Sequence, residues 1–318
     1  MSSGGPVVQP SESWTVGLRV QLVRVGNGLG DLWGWLAAPA TDLIRVPAAI
    51  AWSRKTGLRP YVLFGARYRQ SSAGLRACHR LVHELNEHGM RAFSVGTVNR
   101  RWNERRISRT GFRALNHYCD PVAVYPEIVS GNPLHARYVA RWALNVPGLL
   151  GGDAAYACDE LVYTWAAEYY DTERVLVVDI VERDLFNDVD SPVKDADVVY
   201  LGKATEQIGD VSELIRDKVM ITRRWPVTRA ELASLLRRTR VLYILDNRTA
   251  LTWEAILCGS RVIILPERRE ITAADIEEYE SVDLRELQLE RFIDETQAHP
   301  WPAGADATIA GDSEGVDS

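Results

Sequence analysis

The feature that most constrains this chain is the alternation of short apolar segments with amphipathic ones, starting near residue 58. Buried strands are predicted where the apolar runs are longest, at residues 61–64, 91–95, 121–125 and 161–164. Helices are predicted at residues 75–85, from apolar side chains at helical spacing, and at residues 134–145. Because parallel strands need helix-sized crossovers, this order predicts an α/β fold with helices on both faces of a parallel sheet.

A second series of the same kind begins at residue 174. Its strands are predicted at residues 174–178, 198–200, 219–221 and 241–245, and its main helix at residues 228–238. Two consecutive series indicate two Rossmann-like domains. The expected boundaries are an N-terminal arm, partly disordered or interfacial, at residues 1–57, a first domain at 58–170, a second domain at 171–296 and a disordered tail at 297–318.

Composition and charge fit a globular protein that handles an anionic substrate. The 318 residues are 46% hydrophobic and 25% charged, as in ordinary folded domains. The net charge is −6, but residues 267–318 hold fifteen acids against four arginines, so the rest of the chain carries about +5. We therefore expect a slightly basic body and a solvated acidic end.

Cysteine spacing and the first residues indicate a reducing compartment. The four cysteines are far apart and form no Cys-x-x-Cys pair, so neither a disulfide framework nor a zinc cluster is expected. Residues 1–13 are polar and do not resemble a secretory signal. We expect a cytoplasmic protein without a metal or a cofactor.

One N-terminal segment, residues 32–52, is rich in tryptophan and leucine. Pro39, Asp42, Arg45 and Pro47 within it argue against a membrane-spanning helix. Two alternatives remain for this segment. It is an arm packed on the protein, or it makes a peripheral contact with the inner face of the membrane.

The stretch from residue 241 to residue 266 carries the clearest functional signal. A strand leads into a polar turn, and Thr249 is placed to cap a helix that a glycine turn ends before the next strand. The start of a helix at the carboxyl end of a parallel strand binds phosphate through free N–H groups. The phosphate contact is predicted at Thr249, Ala250 and Leu251. Glu254 follows about a turn later, where a carboxylate reaches ribose hydroxyls.

Asp246 and Glu254, eight residues apart and followed by a glycine turn and an apolar strand, resemble the donor site of retaining glycosyltransferases of the GT-B fold, the family 4-like group. The family pattern has Glu at the first acid and Pro after the turn, where this chain has Asp246 and Arg261. The resemblance implies that Asp246 holds the donor sugar and Glu254 the ribose. It also implies that Lys203 neutralises the diphosphate.

The same resemblance extends to two further donor contacts. Residues 221–229 are similar to the family segment that holds the nucleobase, so Trp225 is expected to stack on a base, with domain packing as the alternative. Arg223 or Arg224 would face the phosphates. In the first half, Gly74 closes a Gly/Ser-rich turn where the backbone approaches the donor phosphate across the cleft.

Candidate acceptor residues follow a strand of the first half, on the functional rim of the sheet. Glu127 and Asn132 are placed to orient an acceptor hydroxyl, and Glu127 to remove its proton. The alternative is a capping carboxylate and a turn asparagine. The basic stretch at residues 91–113, with Arg101 and Arg105, suits an anionic acceptor or lipid phosphate, or is a solvated loop. No nucleic-acid partner is expected.

The resemblance thus implies two Rossmann-like domains that face a cleft and a metal-independent, retaining glycosyltransferase that takes a nucleotide-diphosphate sugar as donor and a glycan, a lipid-linked group or another hydroxyl compound as acceptor. One alternative is a nucleotide-sugar epimerase or hydrolase of the same fold, for which His117 and His135 are the histidine candidates. The other is a non-catalytic GT-B-like partner subunit. His79 and His83 are interpreted as helix-surface histidines and not as metal ligands.

Overall fold

The computed structural model describes residues 28–65, 68–96, 98–99, 102–202, 216–222, 224–245, 249–265, 267–272, 274–275 and 281–299, with side chains from residue 40 onward. The fold is mixed α/β, with two sheets and six helices in these ranges. Among the described residues, no helix combines the length and the apolar composition needed to cross a bilayer.

The first sheet has six strands, all parallel, in the order β3-β2-β1-β4-β5-β6. Its strands are β1 (Tyr61–Phe64), β2 (Ala92–Val95), β3 (Arg105–Ile107), β4 (Val122–Pro126), β5 (Tyr138–Ala143) and β6 (Leu161–Thr164). The order reverses between β1 and β4, so the carboxyl ends of these two strands flank the position where open α/β sheets bind ligands.

Helices cover both faces of this sheet, as the sequence predicts. One face is covered by α1 (Gly28–Thr56) and α3 (Arg109–Tyr118), which share a buried cluster with the sheet. The other face is covered by α2 (Ala73–Glu87), whose apolar side belongs to a second cluster. Ser72 caps α2 by accepting a hydrogen bond from the Leu75 N–H, which fixes where this helix begins after β1.

The second sheet has five strands in the order β11-β10-β9-β7-β8, with β11 antiparallel to β10 and the others parallel. The strands are β7 (Ala196–Tyr200), β8 (Val219–Ile221), β9 (Thr239–Ile244), β10 (Arg261–Ile264) and β11 (Arg269–Ile271). Helix α4 (Arg229–Arg238) precedes β9 and begins with a capping box between Thr228 and Glu231. Helix α5 (Leu251–Leu257) connects β9 to β10.

The last helix, α6 (Val282–Ala298), packs against the first sheet. Phe292 contacts the rings of Tyr61 and Tyr163, with centroids 5.6 and 4.8 Å away. The hydroxyls of Thr296 and Tyr61 lie 2.6 Å apart, within hydrogen-bond distance. The buried cluster behind α2 continues through α6 into the second sheet, so one apolar core joins the two sheets.

Two predicted elements are wrong. Residues 134–145 do not form a helix: they contain β5, a central strand in which five of six residues are buried. The segment has Arg137 and Arg141 at helical spacing, but Arg141 is buried inside the strand. Residues 174–178 do not form a strand of the second sheet. Val175 bridges Thr164 at the end of β6, in the first sheet, and no regular strand follows.

Two further segments, the N-terminal arm and the basic stretch, contain more regular secondary structure than the sequence indicates. The predicted arm contains the 29-residue helix α1, which includes Pro39 and Pro47 because burial of Val46 and Ala49 stabilises it. The basic stretch is not a solvated loop in its described part. It supplies β2, the edge strand β3 and the first half of α3, and its apolar residues Ile107 and Phe112 are buried.

Candidate functional site

Helices α2 and α5 meet, although they belong to different sheets. Each follows the carboxyl end of a parallel strand, α2 after β1 and α5 after β9. Trp165, just after β6, stacks on Trp253 of α5 with ring centroids 6.3 Å apart. Residues at the carboxyl ends of the two sheets are therefore in direct contact, and these are the ends at which α/β sheets bind ligands.

Glu254 lies at the centre of this contact and is 2% exposed. Its Oε1 accepts a hydrogen bond of 2.9 Å from Nη2 of Arg76 and one of 2.8 Å from Nη1 of Arg229. Nε of Arg229 donates to Glu182 at 2.9 Å, and its guanidinium lies 4.3 Å from the centre of the Phe186 ring. One buried carboxylate thus holds two guanidinium groups close together, because both reach the same oxygen atom.

The two arginines keep unused donors. Among the described residues, Nε and Nη1 of Arg76 and Nη2 of Arg229 have no hydrogen-bond partner, and both side chains are buried. Buried polar groups without partners are costly, and nearly all of them are satisfied in folded proteins. Guanidinium N–H groups bind phosphate and carboxylate strongly. The arrangement is therefore suited to an anionic ligand.

A buried histidine lies one turn along α2 from Arg76. Nδ1 of His79 forms a hydrogen bond with Glu104, which also accepts from Ser94 Oγ, while Nε2 of His79 has no partner among the described residues. The ring of Tyr68 contacts His79 edge-on at 5.1 Å. Burial, followed by the charge of Glu182, raises the pKa of the Tyr68 hydroxyl. The surface placement predicted for His79 is wrong.

Sequence reasoning missed Arg76, His79 and Arg229, although a signal was present. Arg76 and His79 lie three residues apart on the side of α2 that also carries Leu75 and Val82. A charged residue and a histidine on the apolar face of a helix predict buried, partnered groups. Nothing local to the sequence names those partners, since Glu104 and Glu254 come from other elements.

An open groove of about 510 Å³ lies beside this cluster. It is lined by Arg80 and Trp102 on one side and by residues 179–185 on the other. Glu182 belongs both to the groove and to the ion pair with Arg229. The groove offers one aromatic ring and several carboxylates, which are acceptors for hydroxyl groups.

The structure describes only some of the predicted donor residues. Lys203, Arg223 and Asp246 lie outside the described residues. Thr249 does not occupy the N-cap of α5, which is Ala250; its Oγ1 accepts instead from the N–H of Leu251 at 3.3 Å. Arg224 and Trp225 are exposed, and the Trp225 N–H donates to Thr222 at 3.0 Å.

The predicted acceptor residues lie in a hydrogen-bonded turn after β4. Glu127 is buried, and its Oε2 accepts from the Leu144 N–H at 3.0 Å. The Asn132 amide accepts from the Tyr125 hydroxyl at 2.7 Å and donates to the Ala136 carbonyl at 2.7 Å. These bonds match the alternative in which both residues shape the turn.

The remaining predicted site residues lie in different elements of the first half of the chain. Gly74 lies in the first turn of α2, where an added Cβ would meet Leu144 at an ordinary 3.8 Å, so close backbone approach does not require glycine here. Arg101 lies outside the described residues. Arg105 is in β3, and burial together with the charges of Arg91 and Arg45 lowers its pKa. The described residues contain no group of three side chains able to hold a metal.

No protein-family model matches this chain, and a search of curated proteins finds no significant relative.

Proposed function

We propose that this protein is a metal-independent, retaining glycosyltransferase with two Rossmann-like domains that face a cleft. It transfers a sugar from a nucleotide-diphosphate donor to a hydroxyl of a glycan, a lipid-linked group or another acceptor. The observation that carries the proposal is the set of guanidinium N–H groups on Arg76 and Arg229 that have no hydrogen-bond partner among the described residues. They lie where the carboxyl ends of the two sheets meet, next to a groove with acceptors for sugar hydroxyls.

In this proposal the arginines contact the diphosphate. Charge develops on the leaving diphosphate during transfer, and positioned N–H donors in a site that excludes water stabilise it. Glu254 acts as a positioning residue that holds the two guanidinium groups, a change from the ribose contact that the resemblance implies. Asp246, Lys203 and the start of α5 keep their predicted contacts with the sugar and the phosphates. Trp102 and the groove carboxylates serve the base, the ribose or the sugar.

Binding of nucleotides tests the proposal directly. Thermal unfolding and calorimetric titration with UDP, GDP, ADP and CMP, each with and without EDTA, should reveal one preferred nucleotide whose binding survives EDTA. The double variant Arg76→Met/Glu254→Leu replaces these two buried charges by apolar side chains and leaves Arg229 its ion pair with Glu182, so it should fold but lose that binding. The matched control Arg238→Met/Asp195→Leu alters an exposed pair and should bind normally. If the wild type binds no nucleotide, the transferase proposal is wrong.

A second candidate is a non-catalytic GT-B-like partner subunit. The observation in its favour is that Oε1 of Glu254 is already bonded to two arginines, as in a purely structural ion pair. This candidate predicts no nucleotide binding in the same titrations. The epimerase or hydrolase alternative has less support, because His117 and His135 are exposed while Glu254 is buried. Donor turnover without an acceptor would indicate it.

A further inference from the structure

The outer side of α1 is an exposed apolar stripe. From residue 40 to residue 51 every exposed position of this helix is apolar, at spacings of three and four residues: Ala40, Leu43, Ile44, Pro47, Ala48 and Ala51. Leu43 and Ile44 are 79% and 75% exposed. The opposite side of the helix packs on the protein through Val46 and Ala49. The stripe therefore lies where no described part of the chain covers it.

Cations flank this stripe. Helix α3 packs beside α1 on the same face of the sheet, since both helices contribute to one buried cluster. The α3 sequence contains no acidic residue, and Arg109 and Arg113 are exposed on it. At the end of α1, Arg54 and Lys55 are exposed as well. We call the stripe and these four cations the outer face.

In the described part of α1 and α3, the acidic group nearest the stripe is turned inward. The only acid of α1 from residue 40 onward is Asp42, which is buried. Its carboxylate accepts hydrogen bonds from the N–H and the hydroxyl of Ser108, the N-cap of α3. It thus joins α1 to α3 and offers no negative charge to a partner. The described side chains of α1 and α3 thus present an apolar stripe with four exposed cations, and the acid that follows α3, Asp120, is paired with Arg137.

We propose that the outer face binds the surface of a bilayer that contains anionic phospholipids. The apolar side chains of α1 enter the boundary between headgroups and acyl chains, as the apolar side of an interfacial helix does. Arg54, Lys55, Arg109 and Arg113 contact lipid phosphates, and each cation near an anionic surface strengthens binding. Charge complementarity selects this partner over a second copy of the chain, because two outer faces would bring eight cations together.

Vesicle sedimentation with the full chain tests the proposal. The protein should sediment with phosphatidylcholine vesicles that contain phosphatidylglycerol, and much less with phosphatidylcholine alone or at high salt. Leu43→Ser/Ile44→Ser and Arg109→Gln/Arg113→Gln should each weaken the binding by a factor on the order of ten. Unchanged thermal unfolding of these variants, all at exposed positions, would show that folding is intact.

Two control variants change matched groups outside the outer face. Val189→Ser/Val193→Ser removes two exposed apolar side chains, and Arg238→Gln/Arg240→Gln removes two exposed cations. Both should bind vesicles as the wild type does. Absence of binding to anionic vesicles, or equal losses in test and control variants, overturns the proposal. A dimer without lipid that Leu43→Ser/Ile44→Ser dissociates would overturn it in favour of a second copy.

Discussion

Nη2 of Arg76 donates a 2.9 Å hydrogen bond to Oε1 of Glu254, across 178 positions of the chain. The two side chains are almost completely buried. They join α2, which follows the first strand of one sheet, to α5, which lies between two strands of the other. An anion that binds the Arg76 donors without partners in the described chain would therefore contact a side chain that is linked to both sheets.

Removing the Glu254 carboxylate should be strongly destabilising. Glu254→Ala leaves Arg76 buried without a counter-charge, so the free energy of unfolding should fall by about 3–5 kcal/mol in chemical denaturation. Arg76→Met/Glu254→Leu should recover part of this loss, because the buried charges of Arg76 and Glu254 are then gone and Arg229 keeps its ion pair with Glu182. Glu270→Ala, which breaks an exposed pair with Arg261, serves as the control. Equal losses in Glu254→Ala and Glu270→Ala would show that burial of the first pair has no special effect.

Gly152 should not tolerate a side chain. Its φ is +81°, and a Cβ added there would lie 1.8 Å from the carbonyl oxygen of Glu127, so the turn after β4 would have to move. Gly131 has φ of +58° but open space around it. Gly131→Ala should cost about 1–2 kcal/mol of unfolding free energy for the backbone conformation alone.

Gly152→Ala should cost a further ~1–3 kcal/mol for the overlap. Denaturant titration of both variants measures the difference. A Gly152→Ala variant as stable as Gly131→Ala would contradict the close approach of Gly152 to Glu127.

Stability at acid pH should depend on Glu295 of α6. Partial burial alone would raise its pKa, but hydrogen bonds from Arg291, Tyr163 and Arg174 outweigh burial, and the pKa in the folded protein is lowered. A lowered folded pKa adds stability above the unfolded pKa of about 4.3. That stability is lost as the pH falls through the folded value. Glu295→Gln should therefore flatten the fall in unfolding free energy below about pH 5. Identical pH dependence in the two proteins would refute this assignment.

The four cysteines should differ sharply in reactivity. Cys158 is exposed, whereas Cys78 and Cys258 are buried. Burial raises the pKa of the Cys258 thiol and of the Cys119 thiol to about 11 each. It also raises the pKa of the Cys78 thiol. Because the thiolate is the reactive form, a disulfide reagent at pH 8 should react rapidly at one site. Cys158→Ser should abolish the rapid phase, and its persistence would contradict the burial described.

Much of the regular structure follows from local patterns. The strands at residues 61–64, 161–164 and 219–221 and the helix that ends at residue 238 lie where the sequence predicts them. Apolar runs and helical periodicity report burial residue by residue, so they locate elements without knowledge of their neighbours. The same property explains the error at β5, because Arg137 and Arg141 lie at helical spacing, and the local pattern does not show that Arg141 is buried in a strand with Glu160 as its partner.

Local sequence patterns predict only part of the candidate site. The sequence predicts Glu254 as a central acid at the carboxyl end of a strand, and the structure places it in the contact between α2 and α5. It does not predict Arg76 or Arg229 as its partners, nor Glu104 as the partner of His79. The contacts predicted for Lys203, Asp246, Arg223 and Arg101 stay predictions.

The sequence by itself determines that this chain alternates strands with helices, has a slightly basic body and carries an acid at the start of α5. These properties depend on spacing within a few turns of chain. Only the tertiary structure decides the order of the strands, the exposed stripe on α1 and the meeting of Arg76 with Glu254. Each of these depends on which distant segments cross in space, and local periodicity holds no information about residues 178 positions apart.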